Sequence, residues 1–332
     1  MKKLLLASAV AALSITAAQA APTVYGKAFL TLDVQDGNSN SAAKDSRTQL
    51  NSNASRIGLK GSEALTQNTD LVYQLEYRVD IDSDAAHNWE SRDTYLGLAN
   101  KQYGTLVAGR LTTIDDYVDY ANVTAGRPVG GDNVLASFSA PRANNAFAYF
   151  SPERNGLQFM GMYALDENKS TDNLNGDAFG VGVKYEPTNA PYKVGATYIK
   201  ASQASANQDN LQAIRVSGAY AASPVLTLSG LYQHTDYSTD DNENAFTASA
   251  NYKVAQTPWT TYGQLDFVDN YEGDKDAEVF RTVVGGKYVF NKATTGHIYG
   301  AYQRSEGTNL KADADGNKAN AYGIGGGIEY KF

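Results

Sequence analysis

Apolar and polar residues alternate with a period of two through segment after segment of this chain. In the last of these, Tyr322, Ile324, Ile328, Tyr330 and Phe332 share one parity, while Gly323, Gly325, Gly327, Glu329 and Lys331 share the other. Successive side chains of a strand point to opposite faces, so this pattern predicts a strand with one apolar and one small or charged face. The same reading predicts strands near 24–34, 56–63, 70–82, 92–100, 104–110, 146–151, 157–165, 178–186, 192–200, 211–221, 225–236, 245–254, 258–268, 279–290, 296–305 and 320–332. In 70–82, Leu71, Tyr73, Leu75, Tyr77, Val79 and Ile81 oppose Gln74, Glu76, Arg78, Asp80 and Asp82; in 245–254, Phe246, Ala248, Ala250 and Tyr252 oppose Thr247, Ser249, Asn251 and Lys253.

Alternation alone leaves two architectures open, because the charged face could be the outside of a soluble barrel or the lining of a pore. The connections discriminate. Short ones (PERNG, PTNAP, AASP, VAQTP, NKATT) alternate with long polar ones (DENKSTDNLNGD, ASQASANQDN, DYSTDDNEN, DNYEGDKDA, EGTNLKADADGNKAN). One end of the sheet thus carries tight turns and the other long loops, as in an outer-membrane barrel with turns at the periplasm. The expected fold is all-β: a 16-stranded antiparallel transmembrane β-barrel, its last strand paired with its first because an open edge cannot sit in lipid. An even strand count puts both ends of the chain at the turn side. Trp259, Tyr288, Phe290, Tyr330 and Phe332 cluster at strand ends and read as an interfacial belt.

The N-terminus adds a compartment. Lys2 and Lys3, an apolar run from Leu4 to Ala12, and Ala18-Gln19-Ala20 read as a secretory signal over residues 1–20, cleaved before Ala21. The run is too short to span a bilayer as a helix, and Ala21 is not the cysteine of a lipoprotein anchor. The barrel domain is then 21–332. A mean hydropathy of −0.42 does not argue against a membrane, since only every second residue of a barrel strand faces lipid. The chain contains no cysteine, so no disulfides are expected in spite of export. Its formal charge of −8, about −10 without the leader lysines, argues against nucleic acid as a partner.

The connection over 111–145 is the longest. It carries Asp115, Asp116, Asp119 and Asp132 with Tyr117, Tyr120 and Phe138. Val129, Val134 and Leu135 make it too apolar for a solvated tail. Loops of this length are usually functional or disordered. Folded into the lumen, it brings carboxylates into the pore at mid-height.

YGKAFLTLDV near the start of the mature chain, SRIGLKG at 55–61, SRDTYLGLANKQYGTLVAGR at 91–110, NNAFAYFSPERNGLQF at 144–159 and the terminal aromatic together resemble a Gram-negative general porin, in order along the whole mature chain. The resemblance implies passive diffusion of small hydrophilic solutes and ions, without a chemical step or cofactor, through a homotrimer in which each subunit has its own pore. It implies partners in outer-membrane lipid and lipopolysaccharide. It also implies a third loop, here 111–145, folded into the barrel as a constriction whose acids face a basic wall ladder. By position that ladder is Lys27 in YGK, Arg56 in SRIGLKG, Arg92 in SRDTYLGL, Arg110 in AGR and Arg142 before the sixth strand, with Arg78 added by its parity. The acids are Asp115, Asp116, Asp119 and Asp132, by loop position only, because the family's Pro-Glu-Phe-Gly-Gly signature is not present. Opposed rows of fixed charge across a narrow aqueous gap order water and set ion preference.

Other signals carry less. ADADGN at 312–317 echoes a calcium loop, but position 311 is Lys and no Glu occupies the twelfth position. His87, His234 and His297 are scattered without metal spacing, and the Gly-x-Gly pairs sit inside strands, where glycine relieves crowding in a packed wall. A substrate-selective porin is the alternative within transport, although the lumen-face charge is mixed in sign. A barrel enzyme needs a positioned nucleophile and base, which this spacing does not supply. An adhesive barrel plugged by side chains is too small a solution for sixteen strands. Acidic loops at the mouth favour cations and the ladder opposes them, so the expected preference is weakly cationic.

Overall fold

The computed structural model describes residues 21–37, 46–83, 88–126, 133–165, 177–205, 208–238, 241–307 and 318–332. The leader over 1–20, Asp132, His87 and the 312–317 segment lie outside the described residues. Sixteen antiparallel staves form one closed sheet. They are β1 (Thr23–Gly37), β2 in two pieces (Arg47–Ser52 and Arg56–Ala64), β3 (Thr69–Arg78), β4 (Glu90–Asn100), β5 (Gly104–Thr112), β6 (Arg142–Phe150), β7 (Leu157–Ala164) and β8 (Ala178–Tyr185). The second half holds β9 (Tyr192–Ser205), β10 (Gln208–Ala221), β11 (Leu226–Asp236), β12 (Glu243–Lys253), β13 (Trp259–Asp269), β14 (Glu278–Val289), β15 (Thr294–Glu306) and β16 (Lys318–Lys331). Each pairs with its sequence neighbours, and β1 closes on β16 from Lys27 opposite Lys331 to Gly37 opposite Ala321. Closure leaves no open edge, so no row of backbone amides faces lipid.

Burial resolves the ambiguity that alternation left. Leu96, Val284, Ile298 and Ile324 are 56–67% exposed, whereas Arg215, Gln233, Gln264 and Asp266 are at most 1% exposed. A soluble protein buries its large apolar side chains and wets its polar ones. This wall does the reverse, so its apolar parity faces outward to lipid and its polar parity faces the lumen. Trp259, Tyr288, Phe290, Tyr330 and Phe332 meet in ring contacts of 4.7–6.0 Å at the turn end, where they form the expected belt. The turn at Asn155-Gly156 shows why these connections are short. Both residues have positive φ (53° and 86°), the two-residue hairpin geometry that matches strand twist, and Arg154 and Leu157 exchange both backbone hydrogen bonds.

Three differences from the periodicity bear on the site. The piece Arg47–Ser52 pairs with Leu30–Gln35 and extends β2 upward past a break at Asn53–Ser55, where Ala54 has φ of 50°. Ser55 Oγ takes over there, accepting from Phe29 N at 3.0 Å. RTQLNS has one large apolar residue, so alternation could not reveal it. β6 begins at Arg142 rather than 146 because a bulge accommodates Asn144 and Asn145. β3 ends at Arg78, four residues early, and Asp80 joins the loop side, where its N–H donates to Asn88 Oδ1.

Candidate functional site

The basic residues expected on the wall come from successive strands. Lys27 of β1 is the Cα partner of Arg56 of β2, Arg56 of Arg78 of β3, and Arg78 of Glu90 of β4. Three cations thus stand side by side on the lumen face. Arg92 joins them through a bulge: Leu75 faces Thr94 and Tyr77 faces Ser91, so Glu76 alone opposes both Arg92 and Asp93. The bulge lets Arg92 Nε donate to Glu76 Oε1 at 2.6 Å, while Asp93 Oδ1 accepts from Arg142 Nε at 2.8 Å.

The arginines Arg56, Arg78, Arg92 and Arg142 each pair with a carboxylate of the same wall. Glu76, nearly buried, also pairs with Arg56 (Nε–Oε2, 3.5 Å) and accepts from Tyr25 Oη at 2.9 Å. Arg78 Nε donates to Asp80 Oδ1 at 2.9 Å. Lys27 Nζ lies 5.5 Å from the centre of the Phe29 ring. Arg110 differs from the others. It is in step with exposed Leu106 and out of step with buried Val107 and Leu111, and it donates to Ser91 O (2.9 Å) and to Asn144 Oδ1. Its side chain starts from the outer parity of β5, yet it remains within electrostatic reach of Arg142, Glu90 and Asp93.

The long connection leaves β5 through a 3-10 turn at Ile114–Val118 and lies along the polar face of the opposite wall. Glycine makes the contact possible. A methyl group at Gly180 of β8 would come within 2.9 Å of Ile114 Cδ1, and one at Gly195 of β9 within 2.5 Å of Val118 Cγ1. Around this turn gather small inward residues of β6 to β10 (Ala143, Ala146, Ala148, Ala178, Ala201, Ala213), which form an apolar patch inside an otherwise polar lumen. Gly195→Val is therefore expected to lift the turn off the wall at an overpacking cost of about 1–3 kcal/mol. The check is a higher single-channel conductance from a barrel that still folds, with Gly230→Val, on the outer parity, as the control.

Polar anchors follow the apolar one. Arg215 of β10, 1% exposed, donates Nη1 to Asp115 O (3.2 Å) and Nη2 to Ser139 Oγ (2.9 Å), and its Nη1 lies 3.3 Å from Asp115 Oδ2. Gln233 of β11 steadies it at 2.7 Å and donates to Phe138 O. Ser217 accepts from Tyr120 N, and Gln264 of β13 accepts from Val123 N. Arg281 of β14, paired with Asp266 at 2.9 Å, donates to Asn133 O at 2.6 Å. Glu243 of β12 accepts from Ser137 N at 3.0 Å. None of these wall residues was singled out from the sequence. Their signal was present in Arg215, a lone polar residue between outward Ile214 and Val216, but nothing local distinguishes an anchor from an ordinary lumen side chain.

The loop acids divide by environment. Asp115, expected among the lumen acids, is 2% exposed and fully engaged, accepting also from Thr113 Oγ1 (2.5 Å) and Ala140 N (2.7 Å). It holds the loop. Asp119 accepts from Asn122 N and stays half-buried. Asp116 is exposed, yet its pKa is raised to about 6, first by the hydration it loses to surrounding protein and then by Asp115 and Asp119 beside it. Of the charged groups that act on it most strongly, Asp115, Asp119 and Asp93 are acids and Arg215 is the one base. Among the described residues, no three His, Cys, Asp or Glu side chains gather in a metal-binding group.

Known proteins share this fold. The model of the Gram-negative porin family matches residues 6–310. The chain is similar to the major outer membrane protein of Pasteurella multocida strain Pm70, at 28% identity over 98% of this chain and 99% of the relative. It is 26% identical to the major outer membrane protein P.IB of Neisseria meningitidis serogroup B, over 89% of this chain and 91% of the relative. Among solved structures, the anion-selective porin from Comamonas acidovorans aligns with a TM-score of 0.73 at 21% identity, over 94% of this chain and 99% of that one. OmpT of Vibrio cholerae, in a trimer form, aligns at 0.67 and 16% identity over 94% and 99%. With a family match across most of its length and a closed sixteen-stranded barrel to match, the chain belongs to the Gram-negative porins, proteins of the outer membrane.

Proposed function

We propose that the protein forms a water-filled channel through which small hydrophilic solutes and ions diffuse passively, narrowed where the 111–145 connection crosses the lumen. The observation that supports this most directly is the anchoring of that connection by Arg215, Gln264 and Arg281 to the wall opposite the basic row. Loop charge and wall charge then share one aqueous gap. Nothing in this reading calls for a nucleophile, a cofactor or a reaction.

The gap is weakly cation-selective. Arg56 and Arg92 share Glu76, Arg142 has Asp93 and Arg78 has Asp80, so the row is largely compensated, while Asp116 stands exposed without a basic partner of its own. The subunits assemble as a homotrimer in contact with outer-membrane lipid and lipopolysaccharide, in keeping with the trimeric Vibrio relative of the same fold. Residues 1–20 are removed at export, before Ala21, leaving 21–332 as the barrel. The Comamonas neighbour is anion-selective by name, which makes the opposite sign the reading to beat.

Single-channel recording in a planar bilayer tests the proposal, with reversal potential measured in a potassium chloride gradient. Stepwise openings that close in threes support a trimer of pores, and a folded barrel that conducts nothing overturns the channel. Because the Asp116 carboxyl titrates near 6, its charge is present at pH 7 and lost as pH falls through that value. The cation preference is expected to decline by about threefold between pH 7 and 5, the effect of one charge at about 6 Å in water. Asp116→Asn should show the low-pH preference throughout, and an unchanged pH profile in that variant would remove Asp116 from the constriction.

A further inference from the structure

The inward lysines of the strands are unevenly distributed along the barrel axis. On the five neighbouring staves β14, β15, β16, β1 and β2, the lumen parity of the turn-end half carries Lys287, Lys331, Lys27 and Lys60. Lys331 is the Cα partner of Lys27, which in turn is the partner of Arg56, so this cluster runs without a break into the basic row of the constriction. The inward carboxylates of these staves at this end are Glu329, whose Oε1 lies 2.6 Å from Lys331 Nζ, and the chain terminus at Phe332, whose O accepts from Gly26 N; Glu63 lies on the outer parity of β2, and Glu76 of the next stave meets the Lys60 side through Tyr25 Oη at 2.9 Å. The other inward carboxylates of these staves and of β13, Asp33 and Asp266, lie toward the loop end.

Three of the lysines lie against aromatic rings. Lys27 Nζ is 5.5 Å from Phe29, Lys60 Nζ 4.9 Å from Tyr25 and Lys287 Nζ 5.1 Å from Tyr262. A ring face steadies an ammonium group without neutralising it. Among them sits His297, the Cα partner of Lys287, stacked 4.7 Å from Phe29 and 8% exposed. Neither of its ring nitrogens has a hydrogen-bond partner, the nearest acid being Glu329 Oε2 at 3.8 Å.

We propose that the turn-end half of the lumen, between Lys287, Lys331, Lys27 and Lys60, is an anion vestibule that holds small multivalent oxyanions of the inorganic phosphate class, reached from the turn side of the membrane. Low-dielectric walls lined by one sign of charge concentrate the opposite ion, and rings of lysine are suited to phosphate. The vestibule lies in series with the constriction, so the pore presents acids to one side and lysines to the other. This inference rests on the channel reading, since a closed lumen would admit no ion.

The test is block of potassium chloride current by inorganic phosphate added to one side at a time. The chain has no cysteine, so Gln102→Cys in the exposed β4–β5 turn, reacted with a membrane-impermeant thiol reagent, marks the turn side. Millimolar phosphate is expected to reduce the current from the turn side and not from the loop side. Lys287→Gln with Lys331→Gln should raise the half-blocking concentration about tenfold, about threefold per charge removed, and Arg304→Gln, at the loop end of β15, should leave it unchanged. Lys331→Gln alone, at an exposed site, gives the threefold shift if the double variant does not fold. Absence of chloride current from a folded barrel overturns the channel reading itself. A normal chloride current with equal block from both sides, or with block unaltered in the lysine variants, overturns the vestibule alone.

Discussion

Arg215→Met is expected to destabilise the protein by about 3–5 kcal/mol, because it leaves the buried Asp115 carboxylate without its countercharge. The same change frees the lumen loop at both of its ends. Arg215 touches the loop at Asp115 and Ser139, and through Gln233 it also orders the contact with Phe138. A channel that folds should therefore conduct more and with greater noise, since the narrowing segment is no longer held at both ends. Arg215→Met with Asp115→Leu separates the two effects. Replacing the whole buried pair by apolar side chains recovers much of the stability, because no charge is left desolvated, but it does not restore the hydrogen bonds to Ser139. Denaturant titration in detergent reads the first effect and single-channel recording the second. A conductance unchanged in Arg215→Met would show that the loop is held in place without this anchor.

Glu76→Gln is expected to move the ion preference toward anions by about threefold, the effect of one carboxylate charge at about 6 Å in water. Glu76 sits between Arg56 and Arg92 and accepts from Tyr25, so the substitution keeps the shape while leaving two guanidinium groups with reduced compensation. Reversal potential in a salt gradient measures the change. The shift should shrink at high salt, since the Arg56 and Arg92 charges it unmasks reach the lumen water, where they are screened within a Debye length of about 3 Å at 1 M. Glu90→Gln is the comparison, because Glu90 is exposed at the strand end and lies 3.9 Å from Arg78. An equal shift in both variants would mean that the preference belongs to the mouth as a whole and not to the Glu76 cluster.

How much of this was legible in the chain follows from what each feature depends on. The staves, their faces and the division into turns and loops come from local alternation, and the structure differs from that pattern chiefly at Arg47–Ser52, where a polar stretch pairs with β1 because its neighbours leave it there. Lys27, Arg56, Arg78, Arg92 and Arg142 could be picked by motif and parity. The bulge that turns both Arg92 and Asp93 toward Glu76 and Arg142 could not, since it is a property of two strands in register. Arg110 was ambiguous for a simpler reason: Leu106 and Ala108 on one parity and Val107 and Leu111 on the other are all apolar, so alternation assigns no face.

By itself the sequence determined the architecture, because a period-two pattern with asymmetric connections in an exported chain has few physical solutions other than a closed barrel in lipid. Only the tertiary structure decided how the lumen is furnished. It assigned Asp115 to anchoring and left Asp116 exposed, and it made Arg215, Gln233, Gln264, Arg281 and Glu243 the supports of a segment 76 to 148 residues away in the chain. Periodicity reports which way a side chain points. Which distant backbone it meets there depends on strand register, loop path and the space that Gly180 and Gly195 leave open, and these exist only once the barrel has closed.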